Sequence, residues 1–249
     1  MKSALVARLR QGHRTLDYPA GKVELPSRFR GMPALDASRC PEGCGVCTRA
    51  CPTGAIGQPL RIDLGKCLFC PACAGACPEQ AISFGRDHRL AVRERADLSV
   101  GAGDGPRLAR ALDLEATRLF GRSLKLRQVS AGGCGACEAE LVALGNVVFD
   151  LGRFGVQFVA SPRHADGLVV TGPVSQNMRS ALLETFDAIP APRIVIAVGA
   201  CALSGGPFAG SAVCEGGVPP EIPVDLFVPG CPPHPLTVLD GLLRLLGRI

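Results

Sequence analysis

The sequence of 249 residues has no tryptophan, a single tyrosine and only four histidines. With so few aromatic rings the interior must be built from Val, Leu, Ala and Ile, and a hydrophobic content of 47% supplies them. No run approaches 18 consecutive apolar residues, so nothing in the chain spans a membrane by itself. The amino-terminal residues lack an apolar stretch followed by a small-residue cleavage site, so no route to an oxidising compartment is visible and the thiols are expected to stay reduced. No Gly-x-Gly-x-x-Gly or Walker pattern follows a strand. Gly132-Gly133 and Gly205-Gly206 therefore read as places of close backbone approach rather than phosphate cradles. The basic residues are scattered and not interleaved with aromatics, which argues against a nucleic-acid partner.

Cysteine is what the chain has in excess: thirteen, an odd number that does not suit a disulfide framework. One run is Cys40-x3-Cys44-x2-Cys47-x3-Cys51-Pro52, and a second is Cys67-x2-Cys70-x2-Cys73-x3-Cys77-Pro78. Later come Cys134-x2-Cys137, Cys201 in a Gly-rich turn and Cys231 in Pro-Gly-Cys-Pro-Pro. Twelve cysteines thus form three complete sets of four, and Cys214 is left over as a free structural thiol. The second run matches the bacterial ferredoxin pattern for a [4Fe–4S] cluster, in which the fourth cysteine of each run ligates the other cluster. That rule assigns Cys40, Cys44, Cys47 and Cys77 to one cluster and Cys67, Cys70, Cys73 and Cys51 to the other. The first run departs by one residue, since Pro41, Glu42 and Gly43 stand where the pattern has two. Zinc ribbons also use Cys-x2-Cys pairs, but they draw on two pairs rather than two runs of four that each end in Cys-Pro. Each oxidised all-cysteine cubane carries about −2 charge, so three would offset about six positive charges. The formal charge of +5 is then nearly cancelled.

Residues 1–37 read as an extended arm, broken by Pro19, Pro26 and Pro33, in which Leu5, Val6 and Leu9 can share a short helical face. Residues 38–100 form the two-cluster unit and contain a repeat: Cys47 to Ile56 echoes Cys73 to Ile82, each half a ligand loop, a short helix and a small strand. Residues 101–122 read as a glycine-marked linker followed by an amphipathic helix over Arg107–Arg122 that carries Leu108, Leu112 and Leu119. Residues 123–249 alternate strands and helices. Strands are expected at Leu124–Val129, Val156–Ala160, Gly167–Thr171, Ile194–Val198 and Val224–Val228, with helices at Ala136–Leu144, Gln176–Ala188 and Leu236–Leu246. Such alternation predicts an α/β fold with a doubly wound parallel sheet, whose sites form in loops at the carboxyl ends of strands. Cys134, Cys201 and Cys231 each follow a strand, so the third set falls on one rim.

Gly133-Cys134-Gly135-Ala136-Cys137-Glu138-Ala139-Glu140 resembles the small subunit of membrane-bound [NiFe] hydrogenases of the hydrogenase-4 and formate hydrogenlyase type, and their relative, the 20-kDa subunit of respiratory complex I. The resemblance continues through Arg153-Phe154-Gly155, Ala160 to Asp166, Thr171-Gly172-Pro173-Val174, Gly199-Ala200-Cys201-Ala202 and Pro229-Gly230-Cys231-Pro232-Pro233. Residues 15–100, including Asp17-Tyr18-Pro19-Ala20, are similar to the two-cluster ferredoxin-like subunit of the same complexes, so two usually separate chains look fused. The resemblance implies a flavodoxin-like second half with a proximal [4Fe–4S] cluster on Cys134, Cys137, Cys201 and Cys231, hence three [4Fe–4S] clusters in all. It also implies an electron-transfer subunit of an oxidoreductase complex with no catalytic residue on this chain. The catalytic centre would lie on a hydrogenase or complex I-like large subunit, beside membrane subunits and a possible soluble electron donor. The place would be the cytoplasmic face of the cell membrane, reached through the complex. The alternatives are the equivalent subunit of a nickel-free quinone oxidoreductase and a stand-alone ferredoxin-type carrier.

Among single residues, Glu138 and Glu140 suit either favourable charge at a helix start or contact with a partner or proton path. His164 suits a loop histidine bonded to backbone better than a proton donor. His234 suits a helix start as well as cluster tuning, and His13 and His88 read as solvated.

Overall fold

The computed structural model describes residues 2–249. The sheet of the second half contains β6 (Leu124–Ser130), β7 (Val156–Phe158), β8 (Gly167–Thr171), β9 (Ile194–Val198) and β10 (Leu226–Val228), following five shorter strands given below. All are parallel, in the order β10-β9-β8-β6-β7. Counted within the sheet this is 2-1-3-4-5 read from the β7 edge, the flavodoxin-like order, with its switch point between β6 and β8. Every residue of β8 and β9 is buried, as parallel strands covered on both faces require. One face packs beneath α5 (Ala136–Ala143) and α8 (Pro235–Leu245), the other beneath α6 (Gln176–Asp187).

Buried residues lie all around α8, because it is sandwiched between the sheet and the cysteine-rich unit. Gly241 permits this: a Cβ there would stand 2.6 Å from the Cβ of Ala91 and 3.4 Å from Leu226. In addition Val92 and Phe227 exchange backbone hydrogen bonds of 3.1 and 2.9 Å, so the cysteine-rich unit extends the edge of the sheet at β10.

The cysteine-rich unit has a core of its own, formed around Ile56, Ile62, Leu64, Ile82, Leu98 and Val100. Its α2 (Val46–Ala50) and α3 (Ala72–Ala76) are the two repeated helices. Strand β1 (Pro33–Leu35) pairs with β4 (Ile82–Phe84), while β2 (Ile56–Gly57), β3 (Arg61–Asp63) and β5 (Ser99–Gly101) form a second small antiparallel sheet. Residues from the arm thus complete this unit. Further back the arm is fastened to the other half: Leu16 N–H donates to Val148 O at 2.9 Å, and Tyr18 is buried in the larger core. The arm begins as α1 (Lys2–Gln11).

The segment after the cysteine-rich unit differs from its expected form. Gly101 belongs to β5, and the helix is only α4 (Leu114–Phe120). Residues 106–112 instead run as a strap whose backbone bonds elsewhere, Ala109 N–H to Ala91 O at 2.8 Å and Leu112 N–H to Leu245 O at 2.9 Å. Those long-range partners, and Asp113 capping Ala116 N–H at 2.8 Å, set the helix start seven residues late. Leu119 is 59% exposed, so Leu108, Leu112 and Leu119 do not share one buried face. Among the described residues no helix is long and apolar enough to cross a membrane.

Candidate metal centres

The repeat seen in the sequence reappears as a repeat of backbone conformation. Gly43 and Phe69 each precede the second cysteine of their run, and both have left-handed backbone, φ 74° and 52°. Gly54 and Gln80 follow the Cys-Pro ends in the same way, with φ 60° and 51°. Behind each of those turns a backbone N–H points at sulfur: Ala55 N–H to Cys51 Sγ at 3.2 Å and Ala81 N–H to Cys77 Sγ at 3.3 Å. Phe69 N–H donates to Cys67 Sγ at 3.3 Å. The extra residue of the first run is absorbed at Pro41-Glu42, which are exposed.

The two runs exchange their last cysteines. One cavity is lined by Cys67, Cys70 and Cys73 together with Cys51. A second is lined by Cys40, Cys44 and Cys47 together with Cys77. Four thiols thus surround a void in each case. Among the described residues no three His, Cys, Asp or Glu side chains converge closely enough for one ion. Burial pushes the Cys67 thiol up to about 12, with the charges of Cys73, Cys51 and Cys70 adding to it. Burial raises Cys73 as well, and Cys40 is raised by burial and by Cys44, Cys47 and Cys77. Thiols so crowded stay protonated unless a positive centre holds them as thiolates. A cavity ringed by four sulfurs, each run supplied with N–H donors, fits an iron–sulfur cube and its negative charge.

The third set lies at the carboxyl rim of the parallel sheet. Cys134 sits in the loop after β6, Cys137 in the first turn of α5, Cys201 in α7 (Ala200–Ser204) after β9, and Cys231 in the loop after β10. Cys134 and Cys231 are exposed, whereas Cys137 and Cys201 are half-buried. The glycines here make room for sulfur. Gly199 has φ +89°, and a Cβ on it would lie 2.5 Å from Cys137 Sγ; one on Gly206 would lie 3.1 Å from Cys201 Sγ. Burial pushes Cys137 up to about 12, helped by Glu138 and the other three thiols, and Cys201 up to about 11. The rim thus gathers four cysteines from separate loops, two of them, Cys134 and Cys231, exposed.

The two halves meet at these thiols. Cys231 is raised by burial, then by the charges of Cys134 and of Cys70, which belongs to the cysteine-rich unit. Beside Cys231 a cavity of about 220 Å³ is lined by Phe69, Arg30, Glu140 and His234. Asp63 and Arg95 form a two-bonded ion pair (2.8 and 2.9 Å), and Arg95 also donates to Leu203 O, two residues after Cys201. Ser204 Oγ donates to Gly65 O at 2.9 Å. The glycine-marked segment does not hold the units apart, and the second cysteine run is seated directly against the rim.

Several side chains take definite roles. Glu138 Oε1 accepts from Ser130 Oγ and Thr171 Oγ1, both at 2.6 Å, and so pins the start of α5 between β6 and β8. Burial opposes its charge, but those two hydroxyls win and lower its pKa. Glu140 has no such donors, and burial raises it. His234 caps α8, its Nδ1 accepting from Leu236 N–H at 3.2 Å, and burial pushes its pKa down to about 4. His164 is exposed and precedes β8, at the end of the sheet away from the cysteines, with its backbone N–H bonded to Ser161 O. Cys214 pairs by a backbone bridge with Ser175 and is half-buried near Cys201. His13 is exposed. His88 is not: it is buried and contacts the Tyr18 hydroxyl at 3.2 Å, because the arm folds over it. The Tyr18–His88–Asp240 group is not legible in the sequence; its one signal is an aspartate set among the leucines of α8.

The family described as NADH ubiquinone oxidoreductase, 20 Kd subunit, matches residues 134–245. Formate hydrogenlyase subunit 7 of Escherichia coli is 44% identical over 51% of this chain and 50% of its own length. The probable membrane-bound hydrogenase subunit mbhJ of Pyrococcus furiosus is 41% identical over 53% of this chain and 79% of its own length. An NADH-quinone oxidoreductase subunit of Desulfovibrio desulfuricans is 48% identical over 45% of this chain and 61% of its own length. The chain therefore spans only half to four-fifths of these relatives.

Proposed function

Because the chain belongs to the NADH ubiquinone oxidoreductase 20 kDa subunit family, we propose that it is the iron–sulfur electron-transfer subunit of a membrane-associated oxidoreductase complex. The observation that carries this reading is the placement of the second cysteine run against the cysteine rim, where Leu68 and Phe69 line one cavity with Cys231 and Ser204 Oγ donates to Gly65 O at 2.9 Å. Cys40, Cys44, Cys47 and Cys77 would hold one [4Fe–4S] cluster, Cys51, Cys67, Cys70 and Cys73 a second, and Cys134, Cys137, Cys201 and Cys231 a third. When bound, such clusters supply one-electron transfer, which would connect a donor or acceptor with a large catalytic subunit.

The residues of this chain bind, shield and orient. Backbone N–H groups donate to the sulfurs of Cys51, Cys67 and Cys77, contacts that would stabilise the negative charge of a bound cluster. Buried apolar side chains keep water from the inner sites, while exposed Cys134 and Cys231 leave the rim open to a partner. The cysteine-rich unit over residues 38–100, with β1 from the arm, is read as a ferredoxin-like module joined to the family domain over 123–249. The names of the relatives support two kinds of large subunit, a hydrogenase and a quinone reductase. The hydrogenase reading is preferred because the Cys134-x2-Cys137 pair is spaced as in the hydrogenase branch. The complex would lie on the cytoplasmic face of the membrane, and the chain itself would carry no catalytic residue.

The test is metal and sulfide analysis of the anaerobically purified chain together with its co-purified complex. Three clusters require about twelve irons and about twelve sulfides per chain. Stoichiometric zinc, or about eight irons after reconstitution, would count against the assignment. Nickel in the co-purified large subunit supports the hydrogenase reading, its absence the quinone reductase, and purification as a lone monomer the ferredoxin-type carrier.

A further inference from the structure

We infer that Arg30 of the arm is a positioning residue for the second cysteine run: its guanidinium holds the loop that carries Cys67 and Cys70 in the shape a cluster needs. The loops of the two runs are held differently. In the first, Cys44 N–H closes a turn on Pro41 O at 3.1 Å, and the left-handed position before Cys44 is Gly43, φ 74°, where no Cβ resists. Gln58 Nε2 also donates to Cys44 O at 2.8 Å. The second run is one residue shorter between its first two cysteines. Among the described residues, Leu68, Phe69 and Cys70 make no backbone-to-backbone hydrogen bond. Phe69 N–H goes to Cys67 Sγ instead, at 3.3 Å.

Phe69 is left-handed all the same, φ 52°, a backbone that a residue with a Cβ adopts at roughly a tenfold disadvantage. Its ring explains why glycine does not stand there. Phe69 is 7% exposed, its ring centroid lies 6.4 Å from that of Phe84, and it lines the cavity beside Cys231. The ring and the loop shape thus conflict locally, and a bond from outside the loop resolves the conflict. Arg30 Nε donates to Phe69 O, the carbonyl of the left-handed residue itself. Gln80, the other left-handed residue of the second run, has a holder of its own, since its N–H closes a turn on Cys77 O at 3.2 Å.

The residues after Arg30 fix where it stands. Gly31 N–H donates to Gly85 O and Met32 N–H to Asp87 O, both at 2.9 Å. A Cβ on Gly31 would lie 2.1 Å from Asp87 O, so only glycine lets the arm come this close. Arg30 and Phe69 line one cavity with Cys231, so the bond between them lies where the second run meets the rim. The role rests on the cluster assignment proposed above, and it concerns how one ligand loop is held.

The experiment compares Arg30→Met with Arg30→Gln in the full, anaerobically purified chain. The amide nitrogen of glutamine stands as many bonds from Cα as Nε of arginine, so it keeps the donor without the charge, whereas methionine keeps the stem and loses both. Challenged with an iron chelator, Arg30→Met should release about four of about twelve irons at least fivefold faster than the parent protein. The paramagnetic resonance signal of the Cys51, Cys67, Cys70 and Cys73 site should broaden, with the other two unchanged. Arg30→Gln should release iron within about twofold of the parent rate. Three results overturn the inference: Arg30→Met at the parent rate, Arg30→Gln as fast as Arg30→Met, which would assign the effect to charge, or loss of all three signals together, which would make Arg30 a residue of the general fold. A parent protein with no iron at Cys51, Cys67, Cys70 and Cys73 would refute the cluster assignment itself, an outcome distinct from a fully loaded parent that Arg30→Met merely matches.

Discussion

The hydroxyl of Tyr18 donates to Oδ1 of Asp240 at 2.7 Å across 222 residues of sequence. His88 Nε2 lies 3.2 Å from the same hydroxyl, and Arg244 Nε donates to the other carboxylate oxygen at 2.8 Å. Asp240 is 1% exposed. A buried carboxylate is costly unless it is paired and bonded, and here the arm supplies one partner and α8 the other. Burial and then the Asp240 bond raise the Tyr18 phenol, so it stays a donor at any working pH. The arm, the cysteine-rich unit and the parallel-sheet half thus meet at one hydroxyl.

Tyr18→Phe keeps the ring and removes that donor. Asp240 would retain only Arg244, and a buried acceptor that loses a partner costs about 1–3 kcal/mol. The denaturation midpoint should fall accordingly, and the arm between Gly12 and Arg30 should become sensitive to limited proteolysis. Unchanged stability and an equally protected arm would show that Tyr18 does not fasten it.

Two histidines make stability depend on pH. Burial lowers His88, with Arg89 and Arg244 adding to the effect against Asp240 and Asp87. Burial, then His88, pushes His234 down to about 4. In the unfolded chain both titrate near about 6.5. Below that pH the unfolded chain binds more protons, so the stability is complete above about 6.5 and, for His234, is lost as the pH falls from there through about 4. Urea midpoints should decline over that window. His234→Asn, which can still cap α8 but does not titrate, should flatten part of the decline; an identical slope would remove His234 from the account.

Gly199→Ala tests the rim. The backbone there is left-handed, and the new methyl would fall 2.5 Å from Cys137 Sγ. About four of about twelve irons should be lost, with the two spectra of the cysteine-rich unit intact. Cys214→Ser should lose none, since that thiol belongs to no set of four. Full iron content in the alanine variant would refute a tight sulfur cradle at Gly199.

Electron paramagnetic resonance distinguishes crossed from uncrossed runs. Cys77→Ala should remove the signal of the site formed with Cys40, Cys44 and Cys47, and Cys51→Ala the signal of the site formed with Cys67, Cys70 and Cys73. If each variant lost instead the signal of its own run, the crossed scheme would fall.

Local information decided much of this protein. The strands at Gly167–Thr171 and Ile194–Val198 could be read to the residue, because β-branched runs buried on both faces leave no other choice. Cysteine spacing carried the candidate sites for a similar reason: ligands of one loop must be close in sequence to wrap one object. What sequence could not carry was set by contacts between distant segments. The strap at 106–112 has helix-forming residues, yet its backbone bonds to Ala91 and Leu245. His88 looks like any polar loop residue until Tyr18 covers it. Gly101, Gly103 and Gly105 suggest a spacer, but Gly241 lets α8 pack against Ala91 and close the gap. Periodicity and spacing act over a few residues, whereas burial of a given side chain depends on which surface the rest of the chain brings to it.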